Sequence, residues 1–383
     1  MSTPLPRSEF AVTQRYVYLN HASAGPLPLS SKAAIDEFLR GHAEEGVRGT
    51  FPHDCAMPEY RDRIARFSGV DGTRIAIAAN TSAAASIVAS GFDWKPGDEA
   101  LLCDNEFPAN AVPWMALRTR GVHVRLLKTE RERLTPELLR RAISPRTRLV
   151  AVSWVSYADG YRHDLAGLAQ AAHEAGAFLC VDAMQGLGAF TLDASQTGVD
   201  AVYAGAAKWL LGLHGVALLY IGERLDAHVQ LMNPGWRSVE NMWDFHNHAQ
   251  GFSQDAMRFE SGTPNLIGTL SLVSAIELFE RSGKEKIAQH VLALTDRLCD
   301  GLRRLGAEIR SPRGNGVSSG IVTFALPGCD TMALGRALED ERIITTYRAG
   351  TIRVSPHGYN TDSEIDILLE TLNDIAKRPV AVS

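Results

Sequence analysis

One lysine stands at the end of an apolar run in Asp200-Ala-Val-Tyr-Ala-Gly-Ala-Ala-Lys208-Trp-Leu-Leu-Gly212, with only Gly and Ala between it and Tyr203. An amine so placed suits covalent capture of an aldehyde cofactor. The segment also suits a surface lysine lying along an exposed Trp209 indole. Asp182 closes a second apolar run, Phe178-Leu-Cys-Val-Asp182-Ala-Met-Gln185. A carboxylate there is costly unless a cation meets it. The protonated nitrogen of a heterocycle is such a cation, and the charge-assisted hydrogen bond contributes about 1.5 to 3 kcal/mol while keeping the ring electron-poor. A helix cap or a magnesium ligand is the competing use.

Three further segments carry groups that complete such a site. In Ala78-Ala-Asn80-Thr81-Ser82-Ala-Ala-Ala85 a strand passes directly into an Ala-rich helix, whose free amides and the Thr81 and Ser82 hydroxyls suit a phosphate. Ordinary N-capping is the alternative. Phe107, in Asp104-Asn-Glu106-Phe107-Pro108-Ala-Asn110, offers a face to a flat ring or one more core side chain. Ser156, in Ser153-Trp-Val-Ser156, could reach a cofactor hydroxyl.

These groups converge if they lie at the carboxyl ends of parallel strands, where α/β proteins collect their ligands. Between residues 60 and 225, short apolar runs alternate with helical patterns, which predicts a mostly parallel sheet covered by helices. The predicted strands begin at Arg74, Glu99, His123, Thr147, Phe178, Ala201 and Val216, and several are continuously apolar, as strands buried on both faces are. Residues 232–257, rich in Asn, Trp, His and Gly, predict a long loop. Helices follow over 265–282 and 284–305, then strands at 320–324, 343–347 and 351–355 and a last helix opened by the capping box Thr361-Asp-Ser-Glu364. The expected division is a large domain over 15–260 and a small α+β domain over 261–383, with residues 1–14 packing on the latter.

Length and composition narrow the classes. A chain of 383 residues exceeds one ordinary core, and 45% hydrophobic with 22% charged residues is the balance of a globular enzyme. A net charge of -5 argues against nucleic acid or an anionic membrane as partner. Without a signal-like start or an apolar run of membrane length, the expected location is cytoplasmic. Five scattered cysteines and twelve histidines without ligand spacing give no disulfide framework and no expected metal site.

Together these segments resemble the class V aminotransferase family of fold type I pyridoxal phosphate enzymes, which takes in isopenicillin N epimerase-like proteins, cysteine desulfurases and kynureninases. The resemblance runs from Tyr18-Leu-Asn-His-Ala-Ser-Ala-Gly-Pro-Leu-Pro28 to Arg353-Val-Ser-Pro-His-Gly-Tyr-Asn-Thr361, with the motifs in the family's order. It implies that Lys208 forms the imine with pyridoxal 5'-phosphate and Asp182 meets the pyridine nitrogen. It places Gln185 and Ser156 near the ring hydroxyl, Phe107 over the ring, and Thr81 and Ser82 at the phosphate. Arg353 would receive the substrate carboxylate. Thr263, in Phe259-Glu-Ser-Gly-Thr-Pro-Asn265, would reach the phosphate of a second subunit, which implies a homodimer with shared active sites. Asn20 and His21 would lie at the pocket mouth, either touching substrate or capping structure.

The chain also departs from the family. Ala207 replaces the histidine that often precedes the lysine, and Phe107, which cannot transfer a proton, stands where desulfurases place a histidine. The stretch 348–353 carries no cysteine for a persulfide relay. The expected function is therefore chemistry at the α-carbon of an amino acid or derivative, with isopenicillin N epimerase-like action leading and transamination or carbon-sulfur lyase action as alternatives. A catalytically silent sensor or scaffold with this fold is the alternative from another class. A nicotinamide enzyme is not expected, because no G-x-G-x-x-G follows a strand.

Overall fold

A computed structural model describes residues 3–129, 133–348 and 350–377. The first strand, β1 (Val17–Tyr18), is followed by seven that form the large sheet: β2 (Ile75–Ala78), β3 (Glu99–Cys103), β4 (His123–Leu127), β5 (Thr147–Ser153), β6 (Phe178–Asp182), β7 (Ala201–Gly205) and β8 (Ala217–Ile221). Their spatial order is β2-β8-β7-β6-β5-β3-β4, and β8 alone runs antiparallel to its neighbours. This is the predicted α/β architecture, strand for strand.

The sheet is buried on both faces because the middles of its central strands are continuously apolar. Leu179 and Val181 of β6 point into one core, while Phe178 and Cys180 point into the other. Helices cover both sides, so the parallel strands are largely shielded from water except at the edge strand β4, every residue of which is exposed or half-buried. The helix Leu165–Glu174 starts as its sequence indicates, with Asp164 accepting the Gly167 amide at 3.1 Å.

Three helices near the start, Leu29–Glu45, Val47–Cys55 and Met57–Phe67, were not read from the sequence. Gly41, Gly46, Gly49 and Pro52 interrupt the pattern there. The interruption has a packing purpose: a Cβ on Gly49 would come within 2.2 Å of the Gly41 backbone, so these helices approach too closely for any side chain.

After the irregular segment 232–257, the helix Leu266–Ser282 adds Leu272, Val273, Ile276 and Phe279 to the core of the large sheet. The next helix, Lys284–Arg304, gives Leu294, Leu298 and Leu302 to a third core, shared with Leu19 and the C-terminal strands and helix. Those strands are β9 (Glu308–Ile309), β10 (Val322–Ala325), β11 (Ile343–Ile344), β12 (Thr346–Arg348) and β13 (Thr351–Val354). They form an antiparallel sheet ordered β12-β13-β10-β9, while β11 pairs in parallel with β1. The single strand expected over 343–347 is thus two, divided at Thr345, because the chain changes partner between Ile344 and Thr346; a period-two pattern carries no sign of such a switch. The capping box forms in both directions, Thr361 N–H to Glu364 at 2.9 Å and Glu364 N–H to Thr361 Oγ1 at 3.2 Å.

Candidate active site

Asp182 is the last residue of β6, in register with Ser153 of β5 on one side and Tyr203 of β7 on the other. Its carboxylate is 4% exposed and accepts the Met184 amide at 2.8 Å. Burial raises its pKa to about 6, against the pull of the Met184 amide and the Lys208 ammonium. A buried carboxylate held so weakly is a seat for a cation.

Lys208 leaves the end of β7 on a tight turn. Gly212 N–H returns to Ala206 O, Leu211 N–H to Lys208 O, and Leu211 takes a left-handed φ of 55° to do so. Gly25 donates to Ala207 O at 2.9 Å, and a Cβ at Gly25 would fall 2.2 Å from Lys208 O, so only glycine lets the N-terminal segment brace this turn. The Lys208 ammonium lies 5.4 Å from the centre of the Phe107 ring. The alternative of a lysine lying on an exposed indole fails, because Trp209 is fully buried and donates to Gln185 Oε1 at 2.8 Å.

Phe107 is 37% exposed, so it is not a core side chain. It precedes Pro108 at the start of the helix Pro108–Met115, and Tyr157 meets its ring edge-on at 5.2 Å. Thr81 opens the helix Thr81–Gly91, where Asn80 is the cap and accepts the Ala83 amide at 2.9 Å. Thr81 Oγ1 accepts Gly205 N–H at 3.1 Å, tying this helix start to the strand that delivers Lys208, and Ser82 is exposed on the first turn.

The remaining expected site residues divide. Arg353 of β13 is 5% exposed and donates to Tyr157 O at 3.0 Å and Ser23 Oγ at 2.9 Å. Ser23 contacts Thr346 Oγ1, which donates to Asn20 Oδ1 at 2.6 Å, so Asn20 belongs to the Arg353 network. His21 does not lie at a pocket mouth. It is fully buried, its Nδ1 bonded to Ser355 O at 2.8 Å and its Nε2 to Tyr359 OH at 2.9 Å, and it packs on His357. Of the two roles left open for it, the structural one is what these contacts describe. Gln185 likewise spends its amide on the fold, between Trp209 and Ala22 O at 2.9 Å. The Ser156 oxygen accepts the Ala158 and Asp159 amides of its own turn at 3.3 and 3.5 Å. Thr263 is exposed on a cleft of about 510 Å³ whose wall includes Ala78, Ala79 and Ala83, beside the start of the Thr81 helix.

Glu106 received no role in the sequence analysis. Its side chain is half-buried with the carboxyl group bonded to Ser153 and Asn110, and burial raises its pKa to about 7, with the Asp182 charge adding to the rise. The signal available was the spacing of Glu106 and Asn110 around the Pro108 helix start. Among the described residues, no three His, Cys, Asp or Glu side chains group as metal ligands, and no helix is long and apolar enough to cross a membrane.

The donor set fits pyridoxal phosphate: an amine for the aldehyde, a buried carboxylate for the ring cation, an aromatic face beside the amine, and a helix N-terminus for the phosphate. The Aminotransferase class-V family profile matches residues 17–368. A probable cysteine desulfurase of Methanothermobacter thermautotrophicus is 28% identical, covering 98% of each chain. Isopenicillin N epimerase of Amycolatopsis lactamdurans is 27% identical over 97% of this chain and 98% of its own. The cystine C–S lyase C-DES, solved with its product cysteine persulfide, superposes with a TM-score of 0.88 at 26% identity, over 95% of this chain and 99% of its own.

Proposed function

Because this chain belongs to the class-V aminotransferase family and is a pyridoxal phosphate-dependent enzyme, we propose that it cleaves a carbon–sulfur bond β to the amino group of a cysteine-type amino acid. The observation that carries the proposal is its likeness to a cystine C–S lyase, together with the lack of a cysteine in the stretch before Arg353 where a persulfide relay would need one. The stretch 348–353 has no cysteine, and its Ala349 lies outside the described residues. Burial raises the thiol pKa of Cys103 and Cys180 well above the ordinary range and that of Cys299 as well, which makes them poor nucleophiles. Elimination needs no such thiol. The relatives shift the balance from the epimerisation favoured by the sequence towards this reaction.

Pyridoxal phosphate, when bound, supplies an aldehyde carbon for the amino group and a cationic ring that accepts the electron pair of the α-carbon. Every other task falls to the chain. Lys208 would hold the cofactor through its amine and would serve as the base that takes the substrate α-proton. Asp182 keeps the ring nitrogen charged, and Phe107 covers the ring and excludes water from it. The start of the Thr81 helix, with Ser82, takes the phosphate. Arg353 orients the substrate carboxylate, drawing Ser23 and Tyr157 with it. The α-C–H and β-C–S bonds break, sulfur leaves with its bonding pair and a proton, and water releases keto acid and ammonia.

The test is incubation of the loaded protein with L-cysteine and L-cystine in deuterated water. Keto acid and sulfide or persulfide release support elimination. Deuterium exchange at the α-carbon with change of configuration and no released sulfur would instead favour epimerisation, the reading that the epimerase relative supports. We further propose a homodimer in which Thr263 of a second copy contributes to the phosphate site, and a cytoplasmic location.

Two results bear on individual groups. In Arg353→Ala, the amino-acid affinity falls about tenfold to a hundredfold, as loss of a charge-assisted bond to a carboxylate predicts, while the spectrum of the bound cofactor is unchanged. Substrate titration followed by that spectrum checks it.

The second result concerns pH. His163 and His357 are buried with pKa values lowered to about 4, and His21 is lowered as well, so unfolding takes up protons as pH falls below the usual histidine range and stability drops. Asp182 and Glu106, raised to about 6 and 7, act oppositely and lose stability as pH rises through those values. A cofactor cation relieves Asp182. The Tm gap between loaded and cofactor-free protein therefore shrinks from pH 7 to pH 5, which thermal melts of both forms will show.

A further inference from the structure

Ser153, Asp182 and Tyr203 lie in register on one face of the large sheet, and the two that flank Asp182 are joined from outside the sheet through the Glu106 carboxyl group and Asn110. Glu106 Oε1 accepts the Ser153 amide at 2.8 Å, and Oε2 accepts the Ser153 hydroxyl at 2.5 Å and Asn110 Nδ2 at 2.9 Å. Asn110 Oδ1 in turn accepts the Tyr203 hydroxyl and, at 3.4 Å, Trp114 Nε1. Both sheet neighbours of Asp182 thus lead back to Glu106, one directly and one through Asn110. The residue after Glu106 is Phe107, whose ring faces the Lys208 ammonium.

We propose that Glu106 is a positioning residue that fixes the slot for the cofactor ring, holding Asp182 at its edge and Phe107 over its face as one rigid unit and placing a second negative charge behind Asp182. The proposal rests on the reading that the cofactor binds at Lys208 and Asp182. It goes beyond that reading, because Glu106 touches neither of those side chains by a hydrogen bond among the contacts described.

The carboxyl sits among few compensating charges. Cys103 faces it from the end of β3, Asp182 from β6 and Tyr203 from β7, while Lys208 acts on the cluster through Asp182. Burial and the Asp182 charge raise its proton affinity, and its bonds from Ser153 and Asn110 oppose them. Above neutral pH Glu106 adds negative charge where the ring cation binds, which favours the protonated form of whatever occupies the slot.

Glu106→Gln keeps the shape and removes the charge. Each protein is loaded with pyridoxal phosphate, reduced with borohydride and weighed, and its visible circular dichroism and visible absorbance are followed from pH 6 to 10. In the wild type the cofactor mass is expected on Lys208; its absence would overturn both the underlying reading and this one. In Glu106→Gln the mass should remain on Lys208, the dichroism should fall by about half or more, and the pH midpoint of the visible band should move down by roughly half a unit or more as the nearby negative charge is lost.

An unchanged dichroism and midpoint, with the cofactor still on Lys208, would overturn the proposal and leave Glu106 as an ordinary structural residue. Glu106→Asp separates charge from reach: the midpoint should return towards the wild type while the dichroism stays low, and a midpoint like that of Glu106→Gln would overturn the electrostatic part. If Glu106→Gln does not fold, Ser153→Ala, which keeps the amide bond to Oε1 and deletes the hydroxyl bond, reads the same quantities. A smaller shift in the same direction supports the proposal, and none refutes it.

Discussion

Lys208→Ala is expected to yield a folded protein that no longer fixes pyridoxal phosphate covalently and loses about a thousandfold or more in α-proton exchange, the scale of losing a positioned base together with covalent catalysis. The fold survives because the turn is held by backbone and by its neighbours. Gly25 bonds Ala207 O, Trp209 is anchored to Gln185, and the Lys208 side chain belongs to neither contact. Borohydride reduction followed by peptide mass analysis checks the first half, and deuterium exchange at the substrate α-carbon the second. Persistence of a reducible adduct at another lysine would remove Lys208 from its proposed role.

For Asp182→Asn the expected outcome is a protein that still captures the cofactor at Lys208 but turns over about a hundredfold to a thousandfold more slowly, as for loss of one preorganised electrostatic contact in a shielded site. Asparagine fills the same space and can still accept the Met184 amide through its oxygen, so the end of β6 keeps its shape. It supplies no charge to hold a proton on the ring nitrogen. The deficit should appear in kcat rather than in the affinity for substrate, because the interaction matters most when the α-carbon gives up its electron pair. Steady-state kinetics of the loaded variant decide it, and near-normal kcat would contradict the electrostatics.

The large sheet was legible because burial on both faces leaves an unmixed signature: runs such as Leu149-Val-Ala-Val152 and Phe178-Leu-Cys-Val181 admit little else. Lys208, Asp182 and Thr81 stand out in the sequence as candidates for a related reason, since polar groups ending such runs are costly without a purpose. The N-terminal helices were hidden by glycines that serve helix contact rather than helix termination. His21 and Gln185 looked like site residues by motif, but their ring and amide groups are consumed by partners distant in sequence, Ser355 and Tyr359 for one and Ala22 and Trp209 for the other. Glu106 was overlooked because a lone glutamate before Phe-Pro reads as loop, and only the register of β5, β6 and β7 makes it a junction.

The burial of Leu19 among residues that begin at Leu294, and the bond from His21 to Ser355 across 334 positions, set an order for the chain's assembly. Contacts of such separation carry a loop-closure cost that nothing local offsets beforehand. On the ribosome, the residues near 20 must therefore wait through translation of more than three hundred others before their final partners exist. The turn that presents Lys208 leans on Gly25 in this same stretch, so its brace too depends on closing a long loop between segments far apart in the chain.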